Sequence, residues 1–112
     1  MSIRILVSNK LKFKVKGTIK DEEGKDQPFD FTLTCNRLDQ DQIKAKLGPS
    51  GDDTSVVDFM LEVIEDWQGV RDPDDYPLPF TEANYRALCK IPGISVVAFR
   101  TYLAEVGAKE KN

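Results

Sequence analysis

The sequence contains no histidine. That removes the commonest general base, the commonest metal ligand, and every Ser-His or Cys-His nucleophile system. Carboxylates and lysines remain, but none sits in a catalytic motif, so the chain reads as a non-enzyme. Cysteine is scarce. Cys35 and Cys89 lie far apart in sequence and can form at most one bridge. In a reducing compartment they read as free, buried thiols. Long apolar runs are missing: no stretch approaches the ~20 residues of a membrane helix. Met1-Ser2-Ile3-Arg4 lacks the apolar stretch and small-residue cleavage site of a signal peptide. The chain is therefore expected in a cytosol, away from membranes. Internal repeats and low-complexity segments are also missing.

What is present fits one domain. At 112 residues the chain can bury a single core, though not a generous one. Hydrophobic residues at 40% and charged residues at 31% describe a globular protein, not a disordered one. Charge is unevenly spread. Residues 1–20 hold six bases (Arg4, Lys10, Lys12, Lys14, Lys16 and Lys20) and no acid, giving +6. The remainder holds ten bases and nineteen acids, giving −9 and the overall −3. Such a dipolar subunit favours head-to-tail contact between copies or a charged partner. The alternative is that the lysines only coat a solvent face.

Residues 11–19 alternate, with Leu11, Phe13, Val15, Gly17 and Ile19 on one face and Lys12, Lys14, Lys16 and Thr18 on the other. Residues 29–35 repeat the pattern, with Phe29, Phe31, Leu33 and Cys35 inward. Period two is the mark of a half-buried strand. The polar run 21–28 between them predicts an antiparallel hairpin with a loose tip. Ile3 to Val7 can add a short third strand. A lone hairpin is marginal in water, so its apolar face must rest on helices.

Helical spacing follows. A short helix is predicted over 39–47, with Ile43 and Leu47 at i, i+4 and a stop at Gly48-Pro49-Ser50-Gly51. A second runs over 54–67, capped by Asp52 or Asp53, with Val56, Phe59, Met60, Val63, Ile64 and Trp67 as its stripe. Thr81 reads as an N-cap, and Phe80 with Tyr85 as a hydrophobic staple. That third helix ends near Ile91, before Pro92-Gly93. The last spans about 94–106, with Phe99, Tyr102, Leu103 and Val106 on one face and Gly107 as C′ residue. The fold class is α+β: an N-terminal hairpin packed on four short C-terminal helices. The single domain 1–112 divides into a hairpin part (1–35), a helical part (36–107) and a flexible polar tail (108–112).

Several constellations have bland readings. Asp72, Asp74 and Asp75 suggest a calcium loop, but the EF-hand spacing fails: position six is Pro77 and position twelve Ala83. A solvated acidic turn remains. Gly48-Pro49-Ser50-Gly51 lacks the Lys-Ser/Thr of a phosphate-binding loop and is a turn. The lysine strand lacks aromatic stacking partners, because Phe13 points to the core, and the overall balance is acidic. Nucleic-acid binding is not expected. Trp67 reads either as a core anchor or as an exposed binding anchor. Tyr76, Leu78 and Phe80 lie in or beside a loop stiffened by Pro73, Pro77 and Pro79, expected to be largely extended. Such a loop can dock on a partner at little ordering cost, or pack back on its own helices.

The order Trp67-x-Gly69-Val70-x-Asp72, Pro77-Leu78-Pro79-Phe80-Thr81-x-x-Asn84-x-x-x-Leu88, Ile91-Pro92-Gly93 and Tyr102 resembles the tail assembly chaperones of long, non-contractile-tailed bacteriophages. The likeness covers roughly residues 54–107 and rests on turn and packing positions. The hairpin-then-helices order is also similar to that family. The sequence departs from the family at Asp74-Asp75-Tyr76, where a glycine is usual.

The resemblance implies a chaperone in the host cytoplasm that coats the aggregation-prone tape measure protein. It would hold that protein soluble while the tail tube polymerises, and be absent from the mature virion. Coating a long partner needs many copies meeting head to tail, so a homo-oligomer arranged as a head-to-tail spiral is expected. A longer frameshifted form of the chain would recruit the tail tube protein, this chain being the short form. No cofactor or metal is implied. On this reading Lys12, Lys14 and Lys16 meet the acidic helical surface of the next copy, while Trp67, Tyr76, Leu78 and Phe80 offer a partner contact. The rival is a structural tail component, such as a small connector or tail-completion protein.

Overall fold

The computed structural model describes residues 9–47 and 53–107. Strands β1 (Lys10–Lys20) and β2 (Asp26–Asn36) form the expected antiparallel hairpin, paired without a break from Lys10↔Asn36 to Lys20↔Asp26. The pairing reaches further than the sequence suggested and leaves a tight loop over 21–25. Asp21 closes it, accepting the backbone N–H groups of Glu23 and Lys25 at 2.9 and 3.0 Å. The Lys25 and Gln27 donors hold the Asp21 carboxyl below its ordinary range. Pro28 sits in β2 opposite Thr18, at a point the next strand does not reach.

Helices α1 (Gln40–Leu47), α2 (Asp53–Val63), α3 (Glu82–Leu88) and α4 (Ile94–Val106) complete the α+β fold with a third strand, β3 (Ile64–Gln68). The sheet order is β1-β2-β3. The third strand is a correction. The proposed strand at Ile3–Val7 lies outside the described residues, as do the Gly48–Gly51 stop, the Asp52 cap and the 108–112 tail. The helix expected over 54–67 ends at Val63, and the chain turns directly into β3.

The cause is a bulge. Thr34 pairs with Asp66 but Cys35 pairs with Ile64, so Glu65 is an extra residue in β3. An unbulged strand would point Ile64 and Trp67 to opposite faces. The bulge turns both inward, which reproduces the i, i+3 spacing of a helix. The part 36–107 is thus not purely helical.

One sheet face carries Phe13, Val15, Phe31, Leu33, Cys35, Ile64 and Trp67 into the core. α4 packs against β1 and α2. At that junction Phe59 meets Phe99 and Tyr102 edge-on at 5.4 and 5.8 Å, and Phe13 lies 6.2 Å from Tyr102. α4 starts at Gly93, which takes the left-handed φ of 91° that follows Pro92. Its end differs from the expectation: Gly107 is extended, with φ −84° and ψ 159°, not a left-handed cap.

Two buried tyrosines contrast. The Tyr102 hydroxyl donates to the Asn36 carbonyl at 2.8 Å and accepts the Leu38 N–H at 3.2 Å, tying α4 to the end of β2. The Tyr85 hydroxyl, beside the Cys89 thiol, has no hydrogen bond in good geometry among the described residues. Burial pushes both phenols above their ordinary range. Tyr102→Phe should cost about 1–3 kcal/mol, because the Leu38 N–H loses its partner. Tyr85→Phe should be neutral or stabilising. Urea midpoints of the two variants compare them directly.

Candidate interaction surfaces

The outer sheet face is built by the alternation that builds the core. Lys12, Lys14 and Lys16 stand on it, exposed, and form no ion pair among the described residues. Across the sheet Lys12 faces Thr34 and then Asp66, Lys14 faces Thr32 and then Gln68, and Lys16 faces Asp30. The ends of the strand are engaged instead. Lys10 pairs with Glu65 and donates to Asn36 at 3.3 Å, and Lys20 pairs with Asp26 at 3.2 Å. Three like charges on alternate residues repel weakly through water. An acidic partner would relieve that repulsion, and salt would screen the attraction. Glu65 and Asp66 border this face. Sequence reasoning missed them by placing them in a helix; the signal available was two successive acids interrupting the apolar stripe.

The second surface is the joint between β3 and α3. Gly69 leaves β3 at φ 89°, over the Phe31 backbone. Residues 70–78 then fold back on themselves. Leu78 N–H donates to Val70 at 2.9 Å, Asp72 N–H donates to Tyr76 at 2.9 Å, and Arg71 bridges to Pro77. The loop is therefore a small closed hairpin, not the extended segment that its prolines suggested. The Asp72 carboxylate accepts the N–H groups of Asp74 and Tyr76 at 2.9 and 3.0 Å, which accounts for the acidic turn. Asp75 adopts φ 68°, a region glycine prefers, at the place where the family resemblance expects a glycine.

Trp67 is 5% exposed, so the core-anchor reading holds, but from a strand and not from a helix. Its ring packs on Phe80 at 5.2 Å and Tyr85 at 6.3 Å, and its Nε1–H donates to the Leu78 carbonyl at 2.7 Å. Phe80 and Tyr85 form the staple at 6.2 Å, and Thr81 caps α3 by accepting the Asn84 N–H at 3.0 Å. Leu78 and Phe80 are half-buried against the core. Tyr76 stands apart at 68% exposed, the one large apolar residue so placed among those described. The structure thus brings Trp67, Leu78 and Phe80 together and separates them from the lysine face. Tyr76→Ala should leave the thermal midpoint within about 2–4 °C of the parent, as expected of an exposed side chain.

The cysteines are free thiols. Burial, aided by Glu65, pushes the Cys35 thiol up to about 12, so it stays protonated at neutral pH. Among the described residues no group of acids and cysteines converges as a metal site, and no helix is long and apolar enough to cross a membrane.

No protein family, no curated protein and no solved structure matches this chain. The functional reading therefore rests on the surfaces themselves and on the sequence likeness described above.

Proposed function

We propose that this chain is a phage tail assembly chaperone, which coats and solubilises a tape measure protein in the host cytoplasm. It leaves before the virion is mature. The observation that carries the reading is the open row of Lys12, Lys14 and Lys16 on a bare sheet face, in a chain whose remainder is strongly acidic. Basic and acidic surfaces that differ in place make a heterologous contact, and a contact of that kind builds an open filament or spiral. Coating a long partner needs such an array. Among the described residues this face carries Lys12, Lys14 and Lys16 but no exposed aromatic group for base stacking, so we favour an acidic protein surface over nucleic acid as its partner.

Trp67 is withdrawn from the proposed partner contact, since it is spent on the core. Tyr76, with the exposed edges of Leu78 and Phe80, remains as the tape measure contact. The test is co-expression with a tape measure protein. The soluble fraction of that protein should rise when this chain is present, and Tyr76→Ala should reduce the rise. An insoluble tape measure protein under all conditions would remove the basis for the proposal.

A further inference from the structure

α4 begins with hydrogen-bond donors that no protein group uses. Gly93 is its N-cap and has no side chain to offer the first turn, and no acid lies in that turn. Ile94 N–H reaches back to the Ile91 carbonyl at 3.3 Å, and Val97 N–H donates to the Gly93 carbonyl at 3.0 Å. Between them, the N–H groups of Ser95 and Val96 have no acceptor among the described residues. Such groups at a helix start attract negative charge, through their own hydrogens and through the helix dipole. Both residues line an open pocket of about 260 Å³ between the end of α3 and the start of α4.

The side chains make this more than a bare helix end. Ser95 is 6% exposed, lines the pocket, and has no hydrogen-bond partner for its hydroxyl among the described residues. A polar side chain that buried is ordinarily satisfied. Lys90 lines the same pocket, is exposed, and forms no ion pair among the described residues. Arg86 lines it too, but Asp58 at 2.8 Å and Glu82 at 3.3 Å already hold its guanidinium. Lys90 is therefore the cation left to act. Space over Gly93 is open: a Cβ built there would meet no atom within 4 Å, so a ligand can approach the backbone closely.

We propose that this pocket binds a phosphate group. The Ser95 and Val96 N–H groups and the Ser95 hydroxyl donate to its oxygens, and the Lys90 ammonium balances its charge. Two backbone donors, a hydroxyl and a cation suit an anion with several acceptor oxygens. Val57 and Pro92 supply an apolar wall, which can hold the organic part of a small phosphate ester. The shared chemistry is the phosphate, free or esterified. Asp58 and Glu82 beside Arg86 oppose any anion and keep the affinity modest. The inference goes beyond the proposed function and stands without it.

Amide NMR of the full chain tests it. Titration with inorganic phosphate should shift the resonances of Ser95 and Val96 to saturation, while chloride at equal ionic strength leaves them in place. Ser95→Ala should weaken phosphate binding several-fold without moving the thermal midpoint measured in chloride, and Lys90→Gln should do the same. Phenyl phosphate separates the two sources: binding tighter than that of inorganic phosphate assigns the pocket to esters, and equal binding assigns it to the free ion. Shifts that grow without saturating, acetate that binds as tightly as phosphate, or a Ser95→Ala variant that binds phosphate like the parent each overturn the proposal.

Discussion

Trp67→Ala should destabilise the fold by about 3–5 kcal/mol, the usual cost of emptying a buried aromatic site. Trp67 is 5% exposed and joins three elements: β3, the closed 70–78 loop and the start of α3. A domain of this size has roughly 5–15 kcal/mol in total, so the variant loses a large share of its stability. Trp67→Phe should restore most of the packing but leave the Leu78 carbonyl without its donor, for a residual cost of about 1 kcal/mol. Denaturant midpoints read by circular dichroism order the three proteins as parent, Phe, Ala. Were Trp67 a binding anchor held at the surface, alanine would leave the midpoint unchanged and abolish only the partner contact.

The second large effect is on assembly. Reversing Lys12, Lys14 and Lys16 to Glu removes two charge units at each position, which takes the net charge from −3 to −9. None of the three has an ion pair to lose among the described residues, so the monomer should fold with a thermal midpoint near the parent's. The basic face would become acidic, and two acidic surfaces repel. If the proposed head-to-tail contact builds arrays of the parent, light scattering should find the variant monomeric at the same concentration. On the same proposal, raising salt should weaken self-association of the parent in the same direction. Arrays of unchanged size in the triple variant would remove the lysine face from the contact.

Much of this fold was legible because its elements obey one period each. Lys12, Lys14 and Lys16 alternate with Phe13 and Val15, and no helix reproduces that pattern. Thr81 and the Phe80–Tyr85 staple marked the start of α3 through local chemistry alone. β3 was illegible because a bulge at Glu65 gives a strand the spacing of a helix. Nothing between Val63 and Ile64 punctuates the change, and only pairing with β2, distant in sequence, decides it. The 70–78 loop misled in a different way. Its prolines do restrict the chain, but the Asp72 side chain and the Arg71–Pro77 bridge close it. Of the candidate site, the lysine face was readable from alternation. The fate of Trp67 was not, because both readings put an aromatic at the end of an apolar stripe.

The most direct test of the coating role is stoichiometry. This chain and a tape measure protein should be co-purified and the mass of the complex measured, with the full-length tape measure protein and with one shortened by half. A coat places copies along the whole length, so the shortened protein should bind about half as many copies, in line with an open heterologous array. A single bound copy, or a number that ignores the length of the tape measure protein, contradicts the account.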